Sequence, residues 1–338
     1  MRTFEPHSSL IIIIMLIFWI SVGVAQNSNQ AAVWVSNAKD STSTIISSPV
    51  ADFMASEITK QGRSASEMAS IQMPNHLIHR QRLMGSSLAL IALNYAAYQP
   101  FKQAWWQNER TRFHFYQGWR RTYGYLDFGW HDTLYGHMDK LGHYFSAQLL
   151  SEQLYFISRW IGFNDATSRW IGPILSSLLM LEIEIYDGFF KDWGFSLADF
   201  TANELGAFSP ILRERLPWLS IVQLKFSYHP SHFPNQEPTF IKDYPGMTFW
   251  LAIRVHDLLP AQMKSYYPAW LCWSLGYSVS KPARGDIELF LAPDINWQYL
   301  PWGKSPTMRY IKRILNHFHF PGFALKFRPN QKFYPFYF

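Results

Sequence analysis

His137-Met-Asp139-Lys140-Leu-Gly-His143 opens an amphipathic stretch that runs to Ile161, and it carries charge into an otherwise apolar segment. Asp139 and His143 stand four apart and so share one face of a helix. Ser146 and Ala147 continue that face as a small, partly polar seam. Charge inside an apolar helix is costly unless it meets partners. Two later segments offer them. Glu184-Ile-Tyr-Asp187-Gly188 ends a long apolar run and leads into Trp193-Gly194-Phe195-Ser196. Asp199-Phe-Thr-Ala-Asn203-Glu-Leu-Gly206 follows directly. Glu184 and Asp187 are three apart, and Asp199 and Asn203 four apart, so each pair shares a helical face, while Glu182 points roughly the other way. Ala202 and Gly206 allow a close approach between helices. The pattern predicts three helices, over 138–161, 167–187 and 196–208. Ser196 caps the last of them and Pro210 ends it.

These helices are expected to bring Asp139, His143, Glu184, Asp187, Asp199 and Asn203 together. Oxygen donors with an imidazole can hold a divalent metal or run acid–base chemistry. All six are candidate catalytic residues, and His143, Glu184, Asp187 and Asp199 are the candidate metal ligands. The competing expectation is a buried hydrogen-bonded network that fixes helix packing, because most buried polar groups are simply satisfied. No nucleophile elbow, HExxH, P-loop or dinucleotide fingerprint selects a reaction. Lys140 is expected to pair with a carboxylate or extend outward. His131, Asp132 and His137 read as polar groups of a loop.

Taken in order, Asp139-Lys140-x-x-His143, Glu184-x-x-Asp187-Gly188 and Trp193-Gly194-Phe195-Ser196-x-x-Asp199-x-x-x-Asn203-x-x-Gly206 resemble the YfiM-like family. Its members are described as predicted periplasmic lipoproteins, a domain of unknown function. The match covers about residues 120–230, including Lys225-Phe-Ser-Tyr-His-Pro. More distantly, the same order resembles the VanZ-like membrane proteins associated with glycopeptide resistance. The resemblance implies an envelope protein with a helical hairpin core and no established activity. In one respect this chain departs from the family. Its single cysteine is Cys272, so the lipoprotein cysteine is missing, and attachment to a membrane would come from the protein surface, from the β-rich tail, or not occur.

Outward from the three helices, residues 82–98 form a strongly apolar stretch interrupted by Asn94 and ended by Pro100. It reads as a buried bundle helix, being short for a span. Residues 101–130 mix bases with aromatics. They suit either a surface against anionic headgroups or a loop packed on the helices with snorkelling arginines. After Pro217 the period changes to two. Val222–Tyr228, Thr248–Val255, Trp270–Val279, Asp286–Leu291 and Phe323–Phe327 are expected strands, separated by proline and glycine turns. A short helix over 306–317 precedes the last of these strands. The tail Lys332-Phe-Tyr-Pro-Phe-Tyr-Phe338 resembles the closing strand of an outer-membrane barrel, but the strands are too few for a barrel of that type. Pro335 also interrupts a ladder. A sheet packed on the helices, with the tail as edge or plug, is preferred, and a partial barrel is the alternative.

Residues 1–25 read as an export signal. Arg2 is followed by an apolar run from Leu10 to Val24, and Gly23 and Ala25 form a small-residue cleavage site before Gln26. Residues 26–79 read as a weakly ordered linker rich in Ser, Ala, Asn and Gln. The chain of 338 residues carries 15 Trp, 18 Tyr and 27 Phe, an aromatic share of 18% that suits a membrane interface. A mean hydropathy of −0.11 excludes a polytopic helical membrane protein. The formal charge is +6. For an exported chain this favours anionic lipid or another envelope component over nucleic acid. The expected architecture is α+β: a bundle-like helical domain over residues 80–218, then an antiparallel β-rich domain over 219–338. The expected location is the periplasm or outer membrane of a Gram-negative-type envelope.

Overall fold

The computed structural model describes residues 78–131, 134–231 and 240–338. The expected export signal, nearly all of the linker, and Asp132 fall outside them. Residues 78–91 and 160–164 group as one compact unit, and residues 92–159 with 165–338 as another. In the first, the Arg82 guanidinium donates to the Trp160 carbonyl (2.9 Å) and lies over that indole at 4.9 Å.

The helical part comprises α1 (Arg80–Ala104), the short α2 (Gly118–Tyr123), α3 (Met138–Ile161), α4 (Asp165–Asp187) and α5 (Leu197–Arg215). The bounds of α3 follow the hydrophobic period, and Gly162 ends it with φ 116°. Two prolines do not act as the pattern predicts. α1 runs through Pro100 to Ala104, where Tyr98 and Phe101 pack on Trp106 and outweigh one lost backbone bond. α5 runs through Pro210 to Arg215. Proline cannot donate to the carbonyl four residues back. Here that carbonyl belongs to Gly206, and the Ser209 hydroxyl donates to it instead (2.8 Å). α1 is also not buried on all sides, since Met84, Leu88, Leu93 and Tyr95 are exposed. Among the described residues no helix is long and apolar enough to cross a membrane.

The β-rich part is a six-stranded antiparallel meander in the order β1 to β6. Its strands are β1 (Val222–Tyr228), β2 (Met247–Ile253), β3 (Leu271–Val279), β4 (Ile287–Ile295), β5 (Gly322–Arg328) and β6 (Lys332–Tyr337). The two single-turn helices α6 (Val255–Leu258) and α7 (Ala261–Lys264) lie between β2 and β3, and α8 (Pro306–Leu315) between β4 and β5. The fold class is therefore α+β, as the change of period implies. The aromatic tail forms the edge strand. Its pairing with β5 shifts register between Gly322 and Ala324, which absorbs Pro335.

The sheet is strongly curled yet open. The Tyr337 hydroxyl reaches Thr248 on β2 (3.1 Å), and its ring lies 4.5 Å from Phe290. β1 and β6 remain the unpaired ends of the strand order, so no closed barrel forms among the described residues. The free side of β1 is covered by residues 317–319: Phe226 N–H donates to the His317 carbonyl, and His319 N–H to the Phe226 carbonyl.

Two apolar layers result. Met138 and Phe145 of α3 pack with Phe226, Met247, Phe249 and Val279 on the outer side of the curl. Inside it, Trp250, Phe290, Ala292 and Ala324 are buried, with Tyr334 and Tyr337 packed against them. Trp250 fits because Gly276 lies under its ring; a β-carbon there would stand 2.7 Å from it. The expected packing of sheet on helices thus holds for β1 and β2. Leu251, Trp273, Leu275, Leu325 and Phe333 are exposed.

Candidate polar centre between three helices

The three short motifs converge. Asp139, Lys140 and His143 lie on the first turns of α3, Glu184 and Asp187 on the last turn of α4, and Asp199 and Asn203 on the first two turns of α5. Ser196 caps α5, its hydroxyl accepting from Asp199 N–H (3.2 Å). Gly206 lets α5 approach α3, since a β-carbon there would stand 2.2 Å from the Tyr144 carbonyl oxygen. Ala147, not Ser146, lines the seam: Ala147 is fully buried with Met180 and Ala207, and Ser146 is exposed. The Ser176 hydroxyl donates to the Ala147 carbonyl (2.8 Å).

Two sets of contacts form the centre. Asn203 bridges the first. Its Oδ1 accepts from His143 Nδ1 (3.0 Å), and its Nδ2 donates to Glu184 Oε1 (3.3 Å). His143 Nδ1 also lies 3.4 Å from Glu184 Oε1. Lys140 bridges the second set, with its ammonium 2.9 Å from Asp139 and 3.0 Å from Asp199. Asp187 stands to one side and accepts from the Trp106 indole N–H (2.6 Å). Glu184 and Asn203 form a sealed floor, 1% and 0% exposed. The His143 and Asp139 side chains form a rim that retains 20% exposure.

The electrostatics divide the carboxyls. Burial opposes ionisation of Asp139, but the charges of Lys140 and His143 outweigh it and hold this carboxyl below the ordinary range. Burial raises Glu184 well above the usual value, and the charges of Asp199 and Asp187 add to the effect. Burial likewise raises Asp187 to about 7, against the Trp106 hydrogen bond and with the help of Asp199. Four carboxyls facing one lysine and one histidine would leave uncompensated negative charge. Raised values at Glu184 and Asp187 relieve it by retaining protons. One ligand atom from each of His143, Glu184 and Asp199 lies within 4.8 Å of the others, which is compact enough for one cation.

Other residues lie away from this centre. Glu182 does not face solvent; it is buried and accepts from Asn94 Nδ2 (2.9 Å). His137 is exposed, with φ 60°. His131 is 3.7 Å from Asp127, which is buried and accepts from Gly129 N–H (3.0 Å). Among the aromatics of residues 101–130, Trp106 is buried against Tyr186 and Phe190, and Phe115 pairs with Phe195.

Two buried networks have no forewarning in the motifs. Lys225 and Asp294 form a sealed ion pair inside the sheet (3.0 Å), with the His319 imidazole 3.3 Å from Asp294 and stacked on Trp250 at 3.9 Å. His317 Nε2 donates to Glu152 (3.0 Å), and its Nδ1 accepts from Gln148 (3.3 Å). The signal available for the first was a charged residue at a single position of an alternating strand.

Residues 127–215 match the family described as Predicted periplasmic lipoprotein (DUF2279). The matched segment contains all six candidate residues. No curated protein and no solved structure matches the chain.

Proposed function

We propose, from this family match, that the chain is an exported envelope protein working at a membrane surface, and that its polar centre locks α3, α4 and α5 together. The observation that carries this reading is mutual satisfaction. Asn203 ties His143 to Glu184, Lys140 ties Asp139 to Asp199, and Trp106 holds Asp187. Proton retention at Glu184 and Asp187 balances the remaining charge. Asp199 Oδ1 is met by the Lys140 charge and not by an aligned hydrogen bond, and a network otherwise paired to this degree is what a structural role requires.

One observation favours a second reading, a metal-dependent or acid–base hydrolase acting on an envelope lipid or cell-wall component. It is the convergence of His143, Glu184 and Asp199 within 4.8 Å. In that reading His143, Glu184 and Asp199 would hold a divalent cation, which would supply a Lewis acid, and Lys140 would stay paired with Asp139 beside it.

Metal analysis of the purified chain, with His143→Ala and Asp199→Ala alongside, separates the two. The structural reading expects no stoichiometric metal in any of the three. It also expects each variant to melt several degrees lower, at about 2–4 °C per kcal/mol lost. One equivalent of a divalent metal that is lost in both variants would overturn it in favour of the hydrolase.

A further inference from the structure

A sheet with one face in water normally turns its apolar side inward and its polar side out. From β2 to β6 this sheet departs from that rule, carrying apolar side chains on its outer, water-facing side as well as around the buried Trp250 cluster. Residues directly opposite one another across neighbouring strands share a face. One such row runs Leu251–Leu275–Leu291–Leu325–Phe333, a continuous ladder over five strands. Four of its members are between 40% and 59% exposed. Four strand spacings make the row about 19 Å wide. Trp273 and Phe323 extend it along the strands and are also exposed. The opposite face buries polar groups, Asp294, Ser274 and Thr248 with Lys225 of β1, beside the Trp250 and Phe290 cluster. α3 covers the outer face only over β1, β2 and the end of β3.

Charge accompanies this face at one end. The β3–β4 and β5–β6 turns lie at the same end of the sheet, because Leu289 pairs with Arg328 and Val279 with Ile287. Lys281 and Arg284 stand in the first turn and Arg328 enters the second; all three are exposed, while Lys332 lies on the opposite face, over the Tyr334 ring at 4.7 Å. Glu288, near them, is tied to Lys326 (2.8 Å). Asp286 is the opposing charge in the first turn. An apolar, aromatic-bearing band with a basic rim complements a bilayer whose headgroups are anionic. A second copy of the chain would bring the same basic rim. Among the described residues the six open strands are fewer than the eight of the smallest membrane barrels, so the match is to a surface on which the sheet rests.

We infer that the outer face of β2–β6 docks on a bilayer, with Leu275, Leu325, Trp273 and Phe333 entering the acyl boundary and Lys281, Arg284 and Arg328 meeting anionic headgroups. This rests on the membrane-surface reading above and gives it a contact surface. It also supplies an attachment that the one cysteine does not, because Cys272 is buried within β3.

Flotation of the full chain, as isolated from the envelope of expressing cells, tests it. The vesicles are phosphatidylcholine alone, and phosphatidylcholine mixed with phosphatidylglycerol. Any leader segment is the same in every variant, so differences report the sheet. The wild-type chain floats with both, more with the anionic vesicles, and the extra fraction is lost at high salt. Leu275→Ser with Leu325→Ser lowers the partition coefficient at least about tenfold on both vesicles, from the apolar area removed. Lys281→Gln with Arg284→Gln loses only the salt-sensitive extra fraction. Retention of the wild-type circular dichroism and of an unreactive Cys272 establishes that the variants are folded. If the wild type floats and the Leu275/Leu325 variant floats equally well, this face is refuted and the membrane reading stands. If the wild type does not float, both fall. A variant that turns a dimer into a monomer without changing flotation assigns the face to self-association and overturns the proposal. So does flotation that depends on prior removal of residues 1–77, which would make that segment the cover.

Discussion

Asp187 illustrates how one side chain can make the whole fold sensitive to pH. Its carboxyl is raised from 3.8 to about 7, first by burial. Between those values the folded chain holds a proton that the unfolded chain has released, so stability falls as pH rises through that window. The stabilisation is complete below the ordinary carboxyl value and gone above the raised one. Glu184, also raised, acts in the same direction. Glu152 acts in the opposite sense. Its carboxyl is lowered to about 2 because His317 outweighs burial, so its contribution is lost only as pH falls below the ordinary carboxyl value. The two effects therefore overlap only between 3.8 and 4.5. Asp187→Asn keeps an oxygen for the Trp106 indole and removes the titration. Melting measured from about pH 4 to 7 is expected to show a smaller decline in the variant than in the wild type, and parallel curves would refute the assignment. Spacing alone reveals that Glu184 and Asp187 share a helical face. It does not reveal Trp106, whose place beside Asp187 depends on how the loop after α1 returns to the end of α4.

At the scale of elements, α5 lies against α3 because Gly206 has no side chain. Gly206→Ala would push a methyl group onto the Tyr144 carbonyl, and backbone yields less readily than a flexible side chain. The expected cost is about 1–3 kcal/mol, read as a lower urea midpoint with an unchanged slope. A neutral outcome would mean that the helices are farther apart. The three helices were legible from their 3.6-residue period, and the strands from their alternation. The end of α5 was not, because whether Pro210 stops a helix depends on Ser209 relieving one carbonyl. Nor does alternation say which side of a strand faces inward. In β3 the small and polar residues Cys272, Ser274, Gly276 and Ser278 are buried, and Trp273 and Leu275 are exposed.

Over the whole molecule, helices and sheet share an apolar layer centred on Phe145. Its ring lies 5.3 Å from Phe226 and 6.3 Å from Phe249. Phe145→Ala is expected to cost about 3–5 kcal/mol. Because the cavity would touch both parts, helical circular dichroism and tryptophan fluorescence should lose stability together; a shift in one signal alone would mean that the two parts unfold separately. The α+β class could be read from the change of period after Pro217, and the curl of the sheet could not, since Tyr337 meets Thr248 across 89 residues. The sheet also guards its own alignment. Sliding any strand by one residue exchanges its two faces. In β1 that would expel Lys225 from Asp294 into the apolar layer under α3, and in β3 it would drive Trp273 and Leu275 into the space that Gly276 leaves for Trp250. Each misalignment is penalised on both sides at once, by an unpaired charge on one and overcrowding on the other. An open meander with a greasy exterior would otherwise have many near-equivalent pairings, and this arrangement leaves it one.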